Sequence, residues 1–344
     1  MEKNILVTGG LGYIGSHTVV ALLQTGFNVI IVYNLSNSDI FVLSRIREIT
    51  NREPVFYQID VCNYEAISVL FEKHEIATVI HFAALKSVSE SVLHPLKYYQ
   101  NNLGSLVNVL LLMEKNEVKN IVFSSSATVY GEPDKLPVTE KTPFKKALSA
   151  YGSSKQMGED ILESITATGS IHAIALRYFN PVGAHASALI GELPRGIPNN
   201  LMPYITQTGI GKREKLTVYG NNYNTPDGTC IRDFIHVEDL AKAHIRAAER
   251  LINNKNESAF DVFNLGTGNG FSVLQLINAF QKITGTKLNF QIGDRRAGDI
   301  ECIYADVSKA NSVLGWKAAL GLEDMISSSW KWETGLSFQQ TNVG

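Results

Sequence analysis

Cysteine is scarce in this 344-residue chain. Cys62, Cys230 and Cys302 are odd in number, widely spaced and free of any CxxC pair. A disulfide framework needs an even set, so a reducing compartment is the better fit. Neither sign of charge dominates: 31 Lys and Arg against 33 Asp and Glu leave a formal charge of -2. With no Lys/Arg run there is no electrostatic footprint for nucleic acid, and small molecules are the expected partners. The eight histidines show no metal-ligand spacing, so no metal site is expected. The segment MEKNILVTGG meets its glycines after three consecutive apolar residues, too few for a signal h-region or a membrane span. A cytoplasmic protein without a membrane partner is expected. Internal repeats and low-complexity tracts are also lacking.

What is present is a 44% hydrophobic chain able to bury a large core, long enough for two domains or for one with a sizeable lobe. Short β-branched runs (NILV, NVIIV, PVFYQ, ATVIHF, KNIVFSS, IHAIALRYF) alternate with helical patterns such as YIGSHTVVALLQTG and PLKYYQNNLGSLVNVLLLMEK. That alternation predicts right-handed βαβ crossovers and an α/β fold of Rossmann type, a doubly wound parallel sheet. After about residue 180 the Gly-, Pro- and Asn-rich GAHASALIGELPRGIPNN predicts a loop-dominated lobe. Order returns in HVEDLAKAHIRAAERLI (helix), AFDVFNLG (strand) and SVLQLINAFQKIT (helix).

Gly9, Gly12 and Gly15 follow the first strand and open a helix near Tyr13. Glycine permits a tight turn and close backbone approach to a pyrophosphate, and the helix N-terminus supplies free N-H groups. A plain glycine-rich βα turn is the alternative, but strand, glycines and helix in this order favour a dinucleotide. Such a fold ends its second strand in an acidic residue that holds the adenosine ribose. Here Tyr33 stands in that place, which leaves Asn34 and Ser36 to supply part of the lost hydrogen bonding. No Arg follows Tyr33 immediately, so a switch to NADP is not expected. Asp60, at the end of the third strand, is placed to touch the adenine.

Tyr151 and Lys155 in YGSSK are four apart and share a face of the helix that QMGEDILESI supports. A solvated helix face accounts equally well for that spacing alone. Ser124, Ser125 and Ser126, however, end a strand at the carboxyl edge of the sheet, where ligands of open α/β sheets bind. For a phenol to act as base, its pKa must fall from about 10 to about 7, about 4 kcal/mol of differential stabilisation. A lysine ammonium and a cationic nicotinamide supply charge of the right sign.

Together TGGLGYIGSH, HFAALKSVSES, FSSSATVYG, YGSSK, RYFNPVGAH, GIPNNLMPYI and RDFIHVEDLA closely resemble the UDP-hexose 4-epimerases of the extended short-chain dehydrogenase/reductase family, over nearly the whole chain. The resemblance implies an NAD-dependent isomerase that interconverts UDP-glucose and UDP-galactose, passing a hydride from sugar C4 to NAD and back through a 4-keto sugar. Tyr151 would be the base, Ser126 the hydrogen-bond donor to the reacting oxygen, and Lys155 the group that binds the nicotinamide ribose and lowers the Tyr151 pKa. Gly9, Gly12, Tyr13, Ile14, Gly15, Asn34, Asp60, Val61, Phe82, Lys86, Asn101 and Tyr178 would line the cofactor. Asn180, Asn200, Arg232 and Arg296 would hold the substrate around its pyrophosphate, Tyr219 the uracil and Asp299 the uridine ribose, Leu201 would also touch the substrate, and Ile303 would border the sugar 2-position. The implied division is residues 1–179 for NAD and 180–344 mainly for the nucleotide sugar, a smaller C-terminal lobe, with about 236–265 returning to the first domain. A homodimer is implied as well.

Three other readings stand beside this one. A nucleotide-sugar 4,6-dehydratase needs an acid/base pair, typically Asp-Glu, where this chain has Ala127 and Thr128. An epimerase of UDP-N-acetylhexosamine or UDP-glucuronate shares the chemistry. A non-catalytic cofactor-sensing protein is suggested by Tyr33, against the retained Ser126, Tyr151 and Lys155.

Overall fold

The computed structural model describes residues 3–296 and 299–341. The first half runs β1 (Asn4–Thr8), α1 (Tyr13–Gln24), β2 (Asn28–Val32), α2 (Phe41–Thr50), β3 (Val55–Tyr57), α3 (Tyr64–Lys73), β4 (Ile76–His81), α4 (Val88–Leu93), α5 (Pro95–Lys115), β5 (Asn120–Ser124), α6 (Ala150–Thr166) and β6 (His172–Tyr178). There follow β7 (Asn180–Val182), α7 (Leu201–Gly209), β8 (Leu216–Tyr219), β9 (Ile231–His236), α8 (Val237–Ile252), β10 (Phe260–Leu265), β11 (Gly270–Ser272), α9 (Val273–Thr284), β12 (Phe290–Gly293), β13 (Cys302–Ile303) and α10 (Leu322–Thr341).

The six predicted strands of the first half all form, and with β10 they make a seven-stranded sheet of order β10-β6-β5-β4-β1-β2-β3, parallel throughout. Its alternating side chains fill two cores. Ile5, Val7, Val29, Ile31 and Ile80 pack under α1, α2 and α8. Leu6, Ile30, Val79, Ile121 and Phe123 pack under α3, α5 and α6. Each fully buried aliphatic side chain contributes about 1.5–3 kcal/mol, which is why β1, β2, β4 and β5 read as largely apolar runs. The strand order reverses between β1 and β4, so a crevice opens at their carboxyl ends.

Local chemistry sets the helix ends. Pro95 occupies the first turn of α5, where its missing N-H is no loss. Ser149 caps α6, and Ser272 with Gln275 forms a capping box on α9, which stops at Gly285 in the left-handed region. His236 caps α8, its ring nitrogen accepting from the Glu238 N-H at 3.1 Å.

Residues 183–200 contain neither helix nor regular strand, as the composition suggests. Beyond them the chain is more regular than its pattern implies. Strands β11, β9 and β13 form a small sheet joined by β7 along β9, and β8 pairs with β12. A third core of Met202, Ile205, Phe234, Ile277, Phe280 and Ile326 binds these strands to α7, α9 and α10. Among the described residues no helix is long and apolar enough to cross a membrane, and no cluster of His, Cys, Asp and Glu is arranged for a metal.

Candidate active site

The glycine turn lies at the switch between β1 and β4. Gly9 has φ +75°, and a Cβ there would meet the Ala83 nitrogen at 2.9 Å. A Cβ on Gly15 would collide with the Gly9 carbonyl, so α1 can start this close to β1 only without one. Gly12 is the N-cap of α1 and offers no side-chain cap, and no acidic residue occupies the first turn. The helix N-terminus therefore keeps its free N-H groups and positive dipole for an anion, and the turn fits a dinucleotide pyrophosphate.

Around that turn stand the other residues expected at a cofactor. Tyr13 donates from its hydroxyl to the Gly183 carbonyl at 2.7 Å, and burial holds its pKa well up. Ile14 packs on the first core and Val61 is buried in the second. Phe82 lies against the buried His244 ring, 4.6 Å between centroids. The Lys86 ammonium is 5.9 Å from the Tyr13 ring and pairs with Glu192 at 3.2 Å. Asp60 accepts from the Asn34 amide at 3.1 Å and from the Cys62 N-H at 2.9 Å. Asn101 donates to Asn102 at 3.0 Å.

Tyr151, in the first turn of α6, and Lys155, one turn on, share the face turned to the end of β5. Lys155 donates to the Ser124 carbonyl at 2.6 Å, and its nitrogen is 5.9 Å from the Tyr151 ring centre. Burial pushes the Lys155 pKa down to about 7, while Glu159 pulls it up. Glu159 is itself fixed by Ser125 at 2.5 Å and by Arg177 at 2.6 Å. Burial raises the Tyr151 pKa, and the Ser126 hydroxyl opposes that rise. Tyr178 shares a 2.6 Å hydrogen bond with the Ser124 hydroxyl, and burial raises its pKa too. Ser126 accepts from the Thr128 N-H and hydroxyl at 3.2 and 3.0 Å. Ala127 and Thr128, in the 3-10 turn that follows, carry no carboxylate.

The residues expected at a substrate all follow β6 in the chain. Asn180 is on β7, where it pairs with Phe234 of β9. Asn200 stands at the N-cap position of α7 without a capping side-chain bond and donates to Glu192 at 2.5 Å, with Leu201 packed on the third core behind it. Arg232 and Ile303 are register partners on β9 and β13, and Arg232 donates to the Ile231 carbonyl at 2.9 Å. Arg296 pairs with Asp299 at 2.6 Å and lies 5.7 Å from the exposed Tyr219 ring. Glu192, which links Lys86 to Asn200 across the crevice, escaped the sequence reading. Only its negative charge between two glycine- and proline-rich stretches was there to see.

A parallel switch-point crevice, a glycine turn opening a helix, and a Ser-Tyr-Lys set at the end of β5 define an extended short-chain dehydrogenase/reductase. A profile of the family described as GDP-mannose 4,6 dehydratase matches residues 6–329. The chain is 51% identical over 331 residues to a UDP-glucose 4-epimerase of Bacillus subtilis, covering 96% of each protein. It is 50% identical to one of Dictyostelium discoideum, covering 97% of this chain and 96% of the other. Among solved structures, a UDP-glucose 4-epimerase of Stenotrophomonas maltophila superimposes with a TM-score of 0.95 at 48% identity, over 98% of this chain and all of that one. The enzyme of Bifidobacterium longum, solved with NAD+ and UDP, gives 0.93 at 47% identity, over 97% and 98% of the two chains. The chain belongs to the UDP-glucose 4-epimerase family.

Proposed function

We propose that the chain interconverts UDP-glucose and UDP-galactose at sugar C4 with resident NAD. The observation that carries this reading is the convergence of Ser126, Tyr151 and Lys155 at the sheet edge beside the glycine turn, in a chain about half identical to such enzymes. Bound NAD supplies a hydride acceptor that becomes the donor in the return step, so no net redox occurs.

The chain's own groups do the rest. Tyr151 takes the proton of the sugar 4-hydroxyl and returns it, with Ser126 hydrogen-bonding the reacting oxygen. Lys155 orients the nicotinamide ribose from its seat on the Ser124 carbonyl. Gly9, Gly12, Tyr13, Ile14, Gly15, Asn34, Asp60, Val61, Phe82, Lys86, Asn101 and Tyr178 line the cofactor in residues 1–179, to whose sheet β10 returns. Asn180, Asn200, Leu201, Arg232, Arg296, Tyr219 and Asp299, in residues 180–344, anchor the nucleotide and leave the hexose free to turn over. Guanidinium suits the pyrophosphate. The protein acts in the cytoplasm, and as a homodimer, the latter supported by the exposed apolar Val92, Leu93 and Leu96 where α4 meets α5, continued by Val107 and Leu111 along α5.

Incubation with UDP-galactose tests the reaction, with UDP-glucose as the expected product. Tyr151→Phe should keep fold and cofactor and lower turnover by about 100- to 10,000-fold. Near-normal turnover in that variant removes Tyr151 from the base role.

A further inference from the structure

Tyr33 follows β2, at the point where the fold normally offers a carboxylate to the adenosine ribose. That carboxylate accepts from the ribose hydroxyls and also repels a 2′-phosphate. The phenol ring lies over the glycine turn, its edge 3.6 Å from where a Gly12 Cβ would be. Burial raises its pKa, and the Asn37 backbone and Arg195 act against that rise.

Arg195 comes from the loop of the second lobe and is 159 residues from Ser36 along the chain. Its guanidinium donates to the Ser36 carbonyl at 3.1 Å and to the Ser38 carbonyl at 2.5 Å. Ser38 in turn donates from its hydroxyl to the Leu11 carbonyl at 2.6 Å. The glycine turn, the loop after β2 and a cation from the other lobe are therefore one connected assembly. Two carboxylates are bonded into the same surroundings. Asp60 accepts from Asn34 and Cys62, and Asp39 accepts from the Phe41 N-H at 3.0 Å. The Asn34 side chain, bonded to Asp60, also accepts from the Ser36 N-H at 3.0 Å. The ribose end of the site thus sets a neutral phenol and a guanidinium where a carboxylate is usual, which lowers the penalty on an added phosphate.

We propose that the cofactor site admits the 2′-phosphate of NADP alongside NAD, Tyr33 removing the usual selectivity and Arg195 meeting the phosphate. The proposal rests on the reading of the glycine turn as a dinucleotide site. Arginine immediately after β2 is the usual sequence sign of such tolerance; here the fold brings one from the other lobe.

The full-length protein is equilibrated with an equimolar mixture of NAD and NADP until its bound nucleotide is constant, then desalted and denatured, and the released nucleotides are separated. The bound ratio should lie within about 10-fold of unity, where a ribose carboxylate gives a preference of about 100-fold or more for NAD. Tyr33→Asp should restore that preference, and Arg195→Gln should move the ratio toward NAD by about 10-fold. Exclusion of NADP by the wild type, or the same ratio in wild type and both variants, overturns the proposal while leaving the NAD site in place. Binding of neither nucleotide overturns the dinucleotide reading itself.

Discussion

Lowering the pH from 7.5 to 5.5 should cost this protein a definite amount of stability, because three histidines are folded into places that hold them neutral. Burial pushes His17 and His81 down to about 3 and His244 to about 4, with the Lys155 ammonium adding to the effect at His81. His17 and His244 each bond a carbonyl one turn back, Tyr13 at 2.7 Å and Leu240 at 2.9 Å, and the far nitrogen of each has no partner among the described residues. In the unfolded chain each ring titrates near 6.5. Above that value both states are neutral and the groups contribute nothing to the pH dependence. Below it the unfolded chain binds protons that the folded chain refuses, so stability is lost as pH falls from 6.5 toward 3–4. At pH 5.5 the loss is about 1.4 kcal/mol per histidine and about 4 kcal/mol for three. This figure depends little on the folded values, since all lie well below 5.5. Burial also depresses His185 and His236, which act in the same direction. Urea unfolding at the two pH values measures the difference, and His244→Leu should reduce it by about 1.4 kcal/mol. An unchanged difference in His244→Leu would refute the assignment of a buried neutral ring.

Ile303 is buried beside Phe179 and Ala127 and is intermediate in size for a residue bordering the sugar 2-position. Activity on UDP-galactose with only weak activity on UDP-N-acetylgalactosamine is expected, and comparable kcat/KM values on both would refute this. If the apolar stripe of α4 and α5 is the surface between copies, Leu96→Glu should convert the dimer to monomer in sedimentation velocity, whereas an unchanged sedimentation coefficient would move the interface elsewhere.

The parallel sheet was legible because strands buried on both faces are continuous apolar runs, and α5 because Pro95 opens it and a periodic pattern sustains it. The glycine turn and the Tyr151–Lys155 pair were legible for the same reason: their geometry is local. Glu192 and Arg195 were not. They sit in a stretch with no periodicity, and their partners are Lys86, 106 residues away, and Ser36, 159 residues away. The two-residue strand β13, which sets Ile303 beside Arg232, is too short to leave a pattern. The seat of the Lys155 ammonium on Ser124 is likewise a matter of three-dimensional packing, since spacing on α6 only brings it to the same face as Tyr151.

The central claim is that the hydrogen at sugar C4 leaves as hydride to a bound nucleotide and returns to the opposite face. The direct measurement is the conversion of UDP-galactose to UDP-glucose by the purified protein in deuterium oxide, with C4 of the product read by NMR. The account predicts conversion with the original hydrogen retained at C4. Deuterium at that position, or no conversion at all, would contradict it.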